Sequence, residues 1–460
     1  MTLATPPIVG PGAVPADLLA RAHGAARWLA AHRIAEGSRV AVDSPDPLPW
    51  FLGADLLGAA CLVAEPTWTP RERDAVLADA RPDLVVTGVA KPLPEPLPES
   101  VAHASARDAG HVGDTRNVGD VGVAPAGDDG TFFYLPTTSG SSARPKVLIR
   151  TRRSWLRSFA ALGPLPGPVL IPGPLSSSLF LFGALHALWC GHRVQSLSCW
   201  EPERAALAAQ QAATVHLVPA MLAGLLAVLE RRPDLREGCA LRTVVCGGAH
   251  LGDDTRERFA RLLPGAELIE YYGSAEHSLI ALRRGTDGLR PVPGVRLDVR
   301  DGLLWVSSPL AFSGRLRGGT FRPAEDEWST VGDQVELDGT GALTVRGRAG
   351  AVVSSGGKLV AAEEVEAVLR TVPAVTDVLV TGTPHPTLGA IVTAVIETAA
   401  DGPPTLRELR AAARAGLEPG KRPRRWLATE ALPRTASGKP ARATVAERLR
   451  DGTLAAEPMR

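Results

Sequence analysis

The stretch TFFYLPTTSGSSARPK (131–146) decides how this chain is read. TFFYLP is apolar and strand-like, and it runs into a loop of small hydroxyl and glycine residues that ends on Lys146. Such a loop lets backbone N–H groups and Oγ atoms approach a polyphosphate closely, and a lysine adds a point charge to that cradle. A Walker loop is excluded, because G-x-x-x-x-G-K-[ST] is absent. Taken alone, the segment reads equally well as a Ser/Thr-rich surface turn. Lysine usage sharpens the choice: of 50 Lys and Arg residues only Lys91, Lys146, Lys358, Lys421 and Lys439 are lysine. Arginine serves wherever plain charge suffices, so a surviving lysine marks a need for a compact ammonium on a flexible stem. Lys439 closes a second segment of the same texture, PRTASGKPAR (433–442).

Outward from that stretch the chain alternates helix and strand. Residues 16–33 carry apolar positions at helical spacing, 38–42 read as a buried strand, and 48–63 as a helix running into a strand. Residues 75–88 repeat the unit, whereas 90–130, rich in Pro, Gly and Asp, read as a long surface excursion. After the Gly-rich loop the spacing predicts a helix at 152–162, a strand at 168–171, a helix at 179–191 and short strands at 214–218, 243–246 and 267–271. Alternation of this kind predicts parallel sheets with crossover helices. From Leu303 short β-like stretches joined by glycine turns take over. A fresh α+β unit follows Arg348, with helices at 363–371 and 406–417 and strands at 375–382 and 390–397. The expected fold is therefore α/β: a large domain, 1–347, of stacked βα subdomains with a β-rich part, then a small α+β domain, 348–460.

Composition excludes several classes. At 45% apolar and 22% charged residues the chain is globular, and a net charge of +1 leaves no electrostatic footprint for nucleic acid or an anionic membrane. The run KRPRR (421–425) reads as solvated surface. Five scattered cysteines with no C-x-x-C read as reduced, mostly buried small side chains without a zinc site. MTLATPPIVGPG (1–12) shows no export leader, and no apolar run is long enough for a membrane helix, so a cytoplasmic protein is expected.

Other segments are individually ambiguous. In YYGSAEHS (271–278), Glu276 suits a hard cation that takes oxygen ligands and few protein groups beside phosphates, and Tyr272 suits a stacked base; both also suit ordinary capping and packing. Asp333 in VGDQVELDG fits a ribose hydroxyl or a structural turn.

Order and spacing remove the ambiguity. TSG-x-x-x-x-PK, CGGA (246–249), YGSAE (272–276), VGD (331–333), GR (347–348), GGKLVAAEEVE (356–366) and PRTASGK (433–439) follow one another as in the acyl- and aryl-acid adenylate-forming enzymes. The chain resembles that superfamily, which includes acyl-CoA synthetases, discrete adenylation enzymes and luciferases, from about residue 15 to 450. The resemblance implies roles position by position. Thr138, Ser139, Gly140, Ser141, Ser142 and Lys146 match the ATP phosphate loop. Gly247, Gly248 and Ala249 match the segment between the adenine and acyl pockets. Tyr272 and Gly273 match the adenine-stacking site, Glu276 the magnesium ligand, and Asp333 and Arg348 the ribose and catalytic positions. Lys439 matches the catalytic lysine of a mobile C-terminal lid. Ser176, Ser177 and Ser178, with Gly248 and Ser274, fall at the acid pocket, and Gly356, Gly357 and Lys358 at the thiol path. ATP and Mg²⁺ are the implied cofactors, with coenzyme A as co-substrate.

Two positions depart from the pattern. Ala143 replaces the second glycine of the phosphate loop, and alanine resists positive φ. Gly350 replaces the usual Asp or Lys at the hinge, which frees the backbone there. The implied activity is activation of an aryl or acyl acid as its adenylate, with pyrophosphate released, then transfer to a thiol. Loading of a carrier protein stays open, as does nitrite activation to diazotise an aryl amine in secondary metabolism. A catalytically inactive ligand-binding relative is a further alternative.

Overall fold

Short runs of Val, Leu and Cys buried on both faces set the architecture, because a strand covered on both sides needs no polar alternation. The computed structural model of the 460-residue chain describes residues 3–10, 14–68, 70–88, 123–138, 145–197, 199–249, 251–285, 287–324, 326–330, 332–348, 351–355, 358–385, 389–398, 402, 404–417, 419–435 and 438–459. The side chains of residues 71, 346, 348, 352, 354, 358 and 359 lie outside that description.

In the first sheet Arg39–Asp43 lies between Ala60–Val63 and Leu84–Thr87, all parallel, and Phe132–Tyr134 joins parallel to Ala60–Val63. Lys146–Thr151 and the hairpin Gly314–Arg317 and Thr320–Pro323 extend the sheet with antiparallel pairing. The second sheet centres on Thr243–Gly247, parallel to Thr214–Leu217 on one side and Glu267–Ser274 on the other. Val169–Ile171 and Val194–Ser196 continue it in parallel, and Ser278–Arg284 folds back antiparallel. A four-stranded antiparallel sheet follows, from Arg296–Arg300, Leu303–Ser307, Asp333–Leu337 and Leu343–Arg348.

Lys146–Thr151 corrects the sequence reading, which took the chain from loop directly to helix. KVLIRT is a strand, and the helix Arg152–Leu162 begins directly after it. A buried ion pair fixes that junction. Arg152 Nε lies 2.7 Å from Asp55 Oδ1, both side chains fully buried, and the second carboxylate oxygen of Asp55 accepts from Ile8 N at 2.9 Å. Removing either partner strands a buried charge at a cost of about 3–5 kcal/mol.

The C-terminal residues form a six-stranded sheet in which Gly389–Thr398 pairs with Val375–His385 and Arg425–Thr429. Helices Ala362–Leu369 and Arg442–Arg450 pack on it, and Leu406–Gly416 packs on Ala362–Leu369. Thr405 and Glu408 close a capping box at the start of Leu406–Gly416. In the KRPRR run Arg424 and Arg425 are exposed, as a solvated surface requires, and Arg425 also opens the strand Arg425–Thr429. Lys421 pairs with Glu364 at 2.7 Å, and Arg422 donates to Leu417 O and Arg414 O. One hydrophobic cluster spans Ile8 to Leu343, and a separate one begins at Ala351. Cysteine burial is lower than expected: Cys61 and Cys246 are buried, Cys190 and Cys239 half-buried, and Cys199 exposed. No helix among the described residues is long and apolar enough to cross a membrane.

Candidate active site

In an open parallel sheet the crevice beyond the carboxyl ends of the strands is where ligands bind. Thr243–Gly247 and Glu267–Ser274 run parallel with Gly247 opposite Tyr271, so CGGA and YGSAE leave the sheet at one edge. Gly248 turns there with φ +84, a left-handed value that disfavours any side chain. A Cβ at Gly248 would lie 2.7 Å from Lys439 Nζ and 3.3 Å from Leu179 Cδ1. Gly273 sits at a register shift, where a Cβ would lie 2.1 Å from Ser278 O. Both glycines are steric requirements of the site.

Lys439 reaches this edge from the C-terminal part of the chain, and its ammonium donates to the carbonyl of Gly248. Its loop is a tight reversal: Arg434 bridges Pro440, Gly438 N donates to Thr435 O at 2.8 Å, and Thr435 N donates to Lys439 O at 2.8 Å. Arg434 anchors the reversal, donating to Asp377 Oδ2 at 2.9 Å, to both Glu397 oxygens at 2.8 and 2.9 Å, and to Gly438 O at 3.0 Å. The two acids are buried, so the arginine fork is held on two sides.

The Tyr272 hydroxyl donates to Asp333 Oδ2, and Asp333 stands opposite Arg348 in the antiparallel register. Tyr272, Asp333 and the backbone of Arg348 are thus brought together, and Tyr272 directly follows Tyr271, the register partner of Gly247. Ala249 follows Gly248 at an exposed position.

Glu276 lies in the turn between Glu267–Ser274 and Ser278–Arg284. Its backbone carbonyl accepts from Phe312 N at 2.7 Å, and Ser274 Oγ accepts from His277 N at 3.1 Å. Among the described residues the Glu276 carboxylate makes no hydrogen bond, and no group of three or more His, Cys, Asp or Glu side chains is placed to hold a metal ion. One free, half-buried carboxylate fits a hard cation that takes its other ligands from phosphate and water. Burial, with a contribution from Arg150, lowers the neighbouring His277 to about 4, so it is neutral at neutral pH.

Ser178 opens the helix Ser178–Trp189 rather than lying in a loop, and its Oγ pairs with Tyr134 Oη at 3.0 Å. Ser177 precedes the helix, and the Ser176 Oγ is buried without a hydrogen-bond partner among the described residues. Leu179, the next residue, borders Gly248, so this serine segment flanks the lysine. Thr138 and Lys146, the ends of the phosphate segment, are register partners of an antiparallel pair. Ser139, Gly140, Ser141, Ser142, Ala143, Gly350, Gly356 and Gly357 lie outside the described residues, as do the side chains of Arg348 and Lys358.

Sequence reasoning gave no role to Arg434, Arg150 or Tyr134. Arg434 was visible inside PRTASGK, but its acids are 57 and 37 positions away and carry no local signal. A strand reading of KVLIRT, with a lone arginine in an apolar run, would have flagged Arg150.

Comparison with known proteins gives a consistent picture. The AMP-binding enzyme family matches residues 16–312, and the AMP-binding enzyme C-terminal domain matches 364–439. An uncharacterised acyl–CoA ligase of Bacillus subtilis (strain 168) is 31% identical over 436 residues, covering 89% of this chain and 87% of that protein. A 4-coumarate–CoA ligase-like protein of Oryza sativa subsp. japonica is 29% identical, covering 90% and 84%. The crystal structure of ATP-bound MatB from Rhodopseudomonas palustris superposes with a TM-score of 0.79 at 21% identity, covering 95% of this chain and 94% of the other.

Proposed function

The chain belongs to the AMP-binding enzyme family as an ATP-dependent adenylate-forming ligase, and on that premise we propose that it passes its activated acid to coenzyme A. The observation that carries the adenylation half of the reading is the seat of Lys439 against Gly248. A carboxylate oxygen attacks the α-phosphorus of ATP, the bond to the bridging oxygen breaks, and pyrophosphate leaves. The acyl group then moves from AMP to a thiolate sulfur. The protein's part is chiefly positioning and charge neutralisation.

Lys439 bridges the attacking carboxylate and the α-phosphate oxygens as a point charge. Tyr272 stacks on adenine, with Gly247, Gly248, Ala249 and Gly273 shaping its slot, and Asp333 and Arg348 hold the ribose. Thr138, Lys146 and the 139–142 segment cradle the phosphates. Glu276 would hold a magnesium ion, which offsets phosphate charge when bound. Ser176, Ser177, Ser178, Gly248 and Ser274 border the acid. Residues 348–460 act as a lid that turns about Gly350 after adenylation, withdrawing Lys439 and opening a thiol path past Gly356, Gly357 and Lys358. If Gly350→Pro leaves both half-reactions intact, rotation at this point is not needed.

Coenzyme A is preferred as acceptor because both curated relatives above carry that acceptor in their names. AMP release with coenzyme A, a carrier protein or an aryl amine tests it. Thioester formation with coenzyme A is the expected result; release with nitrite and an aryl amine alone would replace the reading with diazotisation.

A further inference from the structure

Arg150 is 1% exposed, yet among the described residues no carboxylate accepts a hydrogen bond from its guanidinium. It donates through Nε to Ala275 O at 3.1 Å, through Nη2 to Glu276 O at 3.1 Å, and through Nη1 to Leu310 O at 2.8 Å and Ser154 Oγ at 3.1 Å. A buried cation held by neutral carbonyls is an expensive way to stabilise a core, because desolvation is only partly repaid. Burial lowers its pKa to about 10, with Tyr134 and Glu276 opposing the fall, so it stays charged at neutral pH.

What the charge gains is geometry. Arg150 lies on Lys146–Thr151, the strand that leaves the phosphate segment. Its partners Ala275 and Glu276 form the turn between Glu267–Ser274 and Ser278–Arg284, and Leu310 is two residues from Phe312, whose N–H also holds the Glu276 carbonyl. One planar fork therefore ties three segments together, and a lysine with a single nitrogen cannot span those carbonyls.

We propose that Arg150 is a positioning residue that fixes the Glu276 turn against the strand following the phosphate segment, so that cation and triphosphate meet in set register. The proposal rests on the reading of Glu276 as the ligand for the ATP-bound cation. Groups that orient a metal ligand typically change metal affinity by about 10–100-fold when altered.

The test measures binding, not turnover. Calorimetric titrations of AMP, and of ATP across a Mg²⁺ series, compare the wild type with Arg150→Lys, Arg150→Met and Glu276→Gln. For Arg150→Lys the expected result is AMP affinity close to wild type, with the Mg²⁺ needed for half-maximal ATP affinity raised about tenfold or more. Arg150→Met should show the same or more, and if it does not fold, Arg150→Lys decides. Wild-type Mg²⁺ dependence in Arg150→Lys overturns the proposal, as does an equal loss of AMP and ATP affinity, which would make the arginine general scaffolding. If Glu276→Gln leaves the Mg²⁺ dependence intact, the reading of Glu276 fails and takes the proposal with it, whatever Arg150 does.

Discussion

The ammonium of Lys439 and the carbonyl of Gly248, 191 positions apart in sequence, form one hydrogen bond just beyond the carboxyl end of Thr243–Gly247 in the second sheet. On the proposed function, this contact holds a point charge where carboxylate and α-phosphate would meet. Lys439→Ala should lower the rate of adenylation by about 100- to 1,000-fold, the usual effect of removing a preorganised electrostatic group, with the melting temperature little changed. Stopped-flow or exchange kinetics with a matched thermal melt check both parts.

Gly248→Ala tests the seat from the other side. A methyl group would crowd Lys439 Nζ at 2.7 Å, and alanine at φ +84 adds about 1–2 kcal/mol of backbone strain. The variant should fold, melt a few degrees lower and lose adenylation more than ATP affinity. An unchanged rate would remove Gly248 from the site.

Tyr272→Phe deletes the hydroxyl donated to Asp333, which is 5% exposed. Losing a hydrogen bond to a buried carboxylate costs about 1.5–3 kcal/mol. If Asp333 holds the ribose, KM for ATP should rise about tenfold with kcat little affected, as initial-rate kinetics will show.

Arg434→Gln would leave Asp377 and Glu397 without their shared fork and slacken the loop that presents Lys439. A lower kcat with near-normal KM for ATP is expected, partly rescued by Arg434→Lys. A purely structural role would lower the melting temperature and leave kcat per folded molecule intact.

Buried histidines set the acid limit. Burial holds His216 at about 3 and His186 and His277 at about 4, against an ordinary value of 6.5. Below pH 6.5 the unfolded chain takes up protons that the folded chain refuses, so stability is full above that value and falls as pH drops toward 4. Each histidine contributes up to about 1.4 kcal/mol per pH unit. His216, whose ring nitrogens have no hydrogen-bond partner among the described residues, gives the clean test: His216→Leu should flatten the slope of melting temperature against pH.

Much of this was legible in the sequence, and the failures share a cause. Helical spacing at 16–33 and apolar runs at 214–218 and 243–246 gave Ala16–Ala31, Thr214–Leu217 and Thr243–Gly247, because burial on one stripe or both faces leaves a periodic trace. Lys146–Thr151 was missed because its arginine broke the apolar pattern, and Arg425–Thr429 because an arginine run concealed a parallel strand. The lysine and its glycine seat belong to separate motifs, and their contact arises only when distant segments fold together. Arg150 and Arg434 show the same limit, since their partners lie 37 to 160 positions away except for Ser154 and Gly438.

The most direct test is acid-dependent exchange of radiolabelled pyrophosphate into ATP, run over a panel of aryl, fatty and inorganic acids with the wild type and Lys439→Ala. The account predicts exchange with at least one acid for the wild type and its loss in the variant. No exchange with any acid, or near-normal exchange by Lys439→Ala, would contradict it.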